Sequence, residues 1–193
     1  MPPRFRILLL CACLLSLACL APAGALAAKK DGNASAATGG VSPTDPRYAP
    51  AKKAKIVNGL AYAPKNAPKR VKNAITAANR IIRMPYRYGG GHNTTFQDSA
   101  YDCSGSVSYA LHGGGMLRAP LDSGSFMHWG RAGKGKWITV YANGGHAFAI
   151  IAGLRLDTGQ RRYAKGAAPG SGPRWNYGSR STGSFVARHP AGF

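Results

Sequence analysis

The chain predicts an α+β domain in which helices come first and a small antiparallel sheet follows. Three observations carry this. Val71, Ile75, Ala78 and Ile82 recur at helical spacing, the stripe of an amphipathic helix. A second helical stretch starts near Cys103, with Val107, Ala110 and Leu111 as its apolar face and Gly113-Gly114-Gly115 as its stop. Beyond residue 135 the pattern becomes strand-like, punctuated by the turn signals Asn143-Gly144-Gly145 and Ala152-Gly153.

Ahead of the domain, residues 1–27 read as a secretory signal. Arg4 and Arg6 form a basic start, 7–20 is apolar, and Ala25-Leu26-Ala27 supplies a small-x-small cleavage pattern. The apolar run is shorter than the roughly 20 residues a spanning helix needs. A secreted or periplasmic protein is therefore expected. Lipid anchoring at Cys19, within Leu17-Ala18-Cys19, is the lesser alternative, because Ser16 stands where a leucine is usual. Residues 28–67 are rich in Ala, Gly, Pro, Ser and Lys and almost free of apolar periodicity, the composition of a flexible basic linker. Within it, Ile56-Val57-Asn58-Gly59-Leu60 is a run able to dock on the domain, which is expected to span 68–193.

Inside the domain, Pro68 suits the first turn of the first helix, and Pro85 ends that helix near Arg83 or Met84. Tyr86 opens a loop that runs through Gly89-Gly90-Gly91 to about Asp102. Residues 118–135 read as irregular. Strands are expected over 136–141, 146–151 and 154–158, with a last one over 184–188. Leu154 and Leu156 alternate with Arg155 and Asp157, which implies one buried face and one wet face. A domain of about 125 residues can build one core without disulfides.

The charge is strongly one-sided: 26 Lys plus Arg against 6 acids, all of them aspartate, for a net +20. Such a field attracts polyanions and steers anionic substrates. Export argues against nucleic acid as the partner. An anionic cell wall or membrane surface fits an exported protein better, and a generally basic solvated surface fits equally well. A monomer is expected.

Of the four cysteines, Cys11, Cys13 and Cys19 fall in the signal, leaving Cys103 as a lone thiol. In an exported chain such a thiol is an accident, half of an intermolecular bridge, or a reactive group. Its setting, Asp102-Cys103-Ser104-Gly105 at a helix start, favours reactivity. A helix N-terminus and a nearby imidazolium both lower a thiol's pKa. First-turn N–H groups can also hold an oxyanion, and small neighbours let a carbonyl approach. The competing reading is a buried, inert cysteine. His146, 43 residues on, opens a strand directly after Asn143-Gly144-Gly145 and is the candidate base. His92, His112, His128 and His189 lack that turn-strand context. Asp157, on the next strand, falls near the cross-strand partner of His146 or one position away, and is the candidate to orient the imidazole. The alternative is an aspartate facing solvent. A zinc site from His92, Cys103, His112 and His146 lacks any familiar ligand spacing, so no metal or organic cofactor is expected.

Three blocks together resemble the NlpC/P60 family of papain-like cysteine peptidases. They are Pro85-Tyr86-Arg87-Tyr88-Gly89-Gly90, Asp102-Cys103-Ser104-Gly105-Ser106-Val107, and Gly145-His146 through Ala152-Gly153. The match covers roughly residues 71–158. It implies a papain-like fold and an exported cysteine endopeptidase acting on peptidoglycan stem peptides, usually at the γ-D-glutamyl–diamino acid bond. Position by position, Cys103 matches the nucleophile, His146 the base and Asp157 the third polar residue. Tyr88 matches a tyrosine lining the site, and Asp102 and Ser104 match residues that contact substrate. The local alternatives are that Tyr88 packs beside a glycine turn and that Asp102 caps a helix. The chain departs from the family pattern at Ser106, where a bulky aromatic is usual, at Asp157, where His, Asn or Gln is commoner, and in the long loop 91–100. The tail 174–190 lies outside the common pattern. Two rival functions remain open: thiol chemistry on another amide, and a non-catalytic basic wall-binding module.

Overall fold

The structure, a computed structural model, describes residues 53–159, 172–177 and 180–193. The segment read as a signal (1–27) and the first part of the linker (28–52) lie outside the described residues.

From Lys53 onward the expected linker is instead part of the fold. Strands β1 (Lys55–Val57) and β2 (Leu60–Tyr62) form an antiparallel hairpin. Its turn is Asn58-Gly59, with φ of 51° and 80°, the left-handed pair that suits a two-residue hairpin loop. The run 56–60 thus docks as anticipated, and Asn79 clamps it. The Asn79 Oδ1 accepts from the Ala61 N–H (2.9 Å), and its Nδ2 donates to the Ala61 carbonyl (2.8 Å). Ala54, Ala61 and Ala63 are buried in the main core. Three-residue strands carry too little periodicity to stand out in sequence; their stability comes from this docking.

Helix α1 (Lys69–Ile81) buries Val71, Ala74, Ile75, Ala77, Ala78 and Ile81. The Pro68 carbonyl starts it by accepting from Val71 and Lys72, and Pro85 closes the way for continuation. Helix α2 (Cys103–Gly113) is buried on every side from Ser104 to Leu111. Its small residues allow close packing on α1: a Cβ on Gly113 would lie 2.2 Å from that of Ala77. The stretch 118–135, expected to be irregular, holds a short helix α3 (Ser123–Phe126) and strand β3 (Arg131–Ala132).

The remaining strands are β4 (Ile138–Asn143), β5 (His146–Ile151), β6 (Leu154–Asp157), β7 (Arg174–Asn176) and β8 (Val186–His189). They join β3 in one antiparallel sheet of order β3-β8-β4-β5-β6-β7. The architecture is therefore the α+β arrangement of the sequence reading. One sheet face supplies Val140, Ala142, Ala147, Ala149, Ile151, Leu154, Leu156 and Trp175 to the core shared with the helices. Each large side chain sealed there contributes about 1.5–3 kcal/mol by burial.

The other face corrects an expectation. Arg155 and Asp157 do not point into water; they are 3% and 2% exposed. Strand β7 extends the sheet beyond β6. Phe185 packs edge-on to Phe148 at 5.2 Å, and the Arg180 guanidinium lies 5.5 Å from the Phe148 ring. The tail thus covers the face that alternation alone marks as wet.

Candidate active site

Cys103 is the first residue of α2, placed there by Asp102. The Asp102 carboxylate caps the helix by accepting from the Gly105 N–H at 2.7 Å. It also accepts from the Gly89 N–H (3.0 Å) and the Ser104 hydroxyl (3.2 Å), and pairs with His92 Nε2 (3.0 Å). The Gly89 contact ties the loop after Pro85 to the helix start. The Asp102 N–H donates in turn to the Gly90 carbonyl at 3.1 Å. Glycine is required where the two meet: a Cβ on Gly105 would stand 2.0 Å from the Gly90 oxygen. Ser106 donates to the Asp102 carbonyl at 2.6 Å and reinforces the same turn.

His146 is the first residue of β5. The two-residue turn Gly144-Gly145 carries it there, and Asn143 Oδ1 accepts from the N–H groups of Gly145 (3.0 Å) and His146 (2.9 Å). Its Nε2 lies 2.8 Å from Asp157 Oδ1. That pairing leaves Nδ1 as the ring nitrogen available to the Cys103 thiol, and the two groups perturb one another's titration. In the β5–β6 register Ala149 faces Leu156, so Asp157 falls opposite Phe148. It reaches His146 diagonally on the same sheet face, rather than as its partner or one position away.

The electrostatics follow from these contacts. Burial alone would push the Cys103 thiol up. Hydrogen bonds from His146 and the Ala147 N–H, with the imidazolium charge, hold it below its ordinary value instead. Burial would likewise depress His146, but the hydrogen bonds to Asp157 and Cys103 and their charges raise it to about 9. Asp157 is opposed by burial and held low by the His146 hydrogen bond, the Gly159 N–H and the charges of His146 and Arg180. The thiol is lowered and the imidazole raised along a Cys103–His146–Asp157 series, the direction in which a thiol gains nucleophilic character.

An open cleft of about 270 Å³ lies over the sulfur, lined by Tyr86, Tyr88, Gly89, His92, Asp102, Cys103, Ser104, Asp122, Ser123, Gly144 and Gly145. Tyr88 stands on its rim, 89% exposed, and does not pack against the glycine turn. Tyr86 is the more intimate tyrosine: burial, then the charges of Cys103 and Asp102, raise its phenol. Asp102 and Ser104 are 5% and 4% exposed, with Asp102 serving chiefly as cap and loop anchor. Tyr86 and His92 escaped the sequence reading as site residues. The signal for Tyr86 was its place in the same block as Tyr88; His92 had none. The Gly105 and Ser106 N–H groups are committed to Asp102, which leaves those of Cys103 and Ser104 as candidate oxyanion donors. Among the described residues, no three His, Cys, Asp or Glu form a metal-binding group, and no helix is long and apolar enough to cross a membrane.

This is a Cys–His–Asp thiol centre on an α+β scaffold. No family model matches the chain, and no curated protein does. Two mutant structures of the Resuscitation Promoting Factor Interacting protein RipA are similar to it. One is 22% identical with a TM-score of 0.44, covering 62% of each chain. The other is 23% identical with a TM-score of 0.43, covering 63% of this chain and 62% of that one.

Proposed function

We propose that this chain is an exported cysteine endopeptidase of the NlpC/P60 kind that hydrolyses amide bonds in peptidoglycan stem peptides, at the γ-D-glutamyl–diamino acid bond. The observation that carries the chemistry is the line of Cys103, His146 and Asp157, with the thiol at a helix start and a cleft above it. The Cys103 thiolate attacks the amide carbonyl, and the Cys103 and Ser104 N–H groups receive the developing oxyanion. The His146 imidazolium gives its proton to the leaving amine. The neutral imidazole then takes one from water, which hydrolyses the thioester and restores the thiolate. Asp157 keeps the Nε2–H oriented throughout. The bond and the substrate class rest on the sequence blocks, and export rests on residues 1–27.

A second reading has one observation in its favour. The Asp102 carboxylate, which the resemblance places against substrate and whose charge would suit a free peptide amine, already serves four partners. That supports an amide substrate without a free amine at this position. Purified protein incubated with defined stem peptides, with and without a free N-terminal amine, separates the two by mass spectrometry of products. Cys103→Ala is expected to abolish release. Undiminished release in that variant sinks both readings.

A further inference from the structure

The tail outside the family pattern reaches the far side of the thiol centre. Asp157 divides its carboxylate: Oδ1 takes His146 (2.8 Å) and the Gly159 N–H (2.8 Å), while Oδ2 takes Arg180 Nη1 at 3.1 Å. The Arg180 guanidinium is held by two rings, 5.5 Å from the centre of Phe148 and 5.3 Å from that of Phe185. Phe185 also packs edge-on to His146 at 6.3 Å. The space is cut to fit. A Cβ on Gly159 would come within 2.8 Å of Arg180 Nη1 and within 3.3 Å of both Asp157 Oδ1 and His146 Cε1.

We infer that Arg180 is a positioning residue of the thiol centre, fixing the second oxygen of Asp157 so that the first stays aimed at His146. This rests on the reading of Cys103 and His146 as nucleophile and base. A buried carboxylate with one free oxygen could rotate and lose its line to the imidazole. A planar guanidinium stacked on aromatics removes that freedom with little motion of its own.

The other charges around Asp157 do not substitute. Arg155, on the same strand, has its Nε 3.4 Å from Oδ2, but neither Nε nor Nη1 has a hydrogen-bond partner. It supplies charge without alignment. Arg174 on β7 directs its guanidinium to the carbonyls of Ile82, Met84 and Pro173. Cys103, from α2, acts on His146 and not on Asp157.

The test uses the full chain, with Arg180→Gln and Arg180→Lys. Two readouts are taken: the pH profile of Cys103 alkylation by iodoacetamide, and stem-peptide hydrolysis. In the wild type, alkylation should set in below the pH of an ordinary thiol. In R180Q, both the lost cation and the loosened Asp157–His146 bond raise the thiol titration, by on the order of half to one pH unit at this separation. R180K keeps the charge but not the fork or the ring stacking. Its titration should stay near wild type while hydrolysis falls on the order of several-fold. An unmoved titration in folded R180Q overturns the inference. Should R180Q fail to fold, undiminished hydrolysis in R180K overturns it. A wild-type Cys103 that titrates as an ordinary thiol instead removes the thiol-centre reading itself, a distinct outcome.

Discussion

Replacing Asp157 with asparagine removes one charge from the buried end of the site while keeping an oxygen that can accept from His146. His146 is raised from 6.5 to about 9 against the pull of burial, and the hydrogen bond to Asp157 is the largest effect lifting it. Loss of an opposite charge in contact is expected to lower the imidazole by on the order of 1–2 pH units, or about 1.4–2.8 kcal/mol. In the proposed mechanism imidazolium is the acid for the leaving amine, so the alkaline limb of hydrolysis should move down by the same interval. A pH–rate profile on a defined peptide reads that limb directly. NMR titration of the His146 ring, assigned by its absence in His146→Gln, checks the cause. A D157N limb that stays near the wild-type position would refute the electrostatic role given to Asp157. Stability should follow in a definite sense. His146 binds its proton more tightly folded than unfolded, so its contribution, on the order of 3 kcal/mol, is complete below pH 6.5 and lost as pH rises through about 9. Asp157 is held low, so its contribution is present above the usual carboxylate range and lost as pH falls through its depressed value. In D157N both windows should flatten. The 3%-exposed Arg155 is then left against a neutral amide, at a cost of about 3–5 kcal/mol.

Three further outcomes are expected. Gly105→Ala should lower stability by about 1–3 kcal/mol and suppress Cys103 alkylation, because the new methyl meets the Gly90 carbonyl; thermal melts and labelling measure both. Asn79→Ala should cost about 2–4 kcal/mol in chemical denaturation, since Ala61 loses both its partners and the Trp175 indole N–H loses an acceptor at 2.8 Å. Asp102→Ala should destabilise by about 1–2 kcal/mol through the lost cap and should slow Cys103 alkylation as the loop at Gly89 detaches. Alkylation at the wild-type rate would mean that the loop does not depend on that carboxylate.

Some of this molecule could be read from its residues one stretch at a time. The α1 stripe, the glycine stop of α2 and the β5 strand after Gly144-Gly145 are local patterns, and the structure has them, β5 over the expected residues and α1 ending at Ile81, short of Arg83. Strand β4 begins at Ile138 rather than 136 because pairing with Ile151 sets its start. The blocks around Cys103 and His146 marked the candidate thiol site because reactive side chains need small, turn-forming neighbours, and those are visible in sequence. Other features depend on partners distant in the chain. The hairpin at 55–62 is held by Asn79, and Asp157 sits diagonal to His146 because of the β5–β6 register. Tyr86 lies deeper in the cleft wall than the 89%-exposed Tyr88, on a loop pinned by Asp102. The face of Arg155 and Asp157 was read as wet because alternation reports only that two sides differ. The tertiary structure made it buried by bringing Phe185 and Arg180 across it. Sequence alone therefore determined which groups were candidates to react and which local elements would present them. Only the fold decided how deeply the third member lies and which cations share it, since burial and charge are set by residues far apart along the chain.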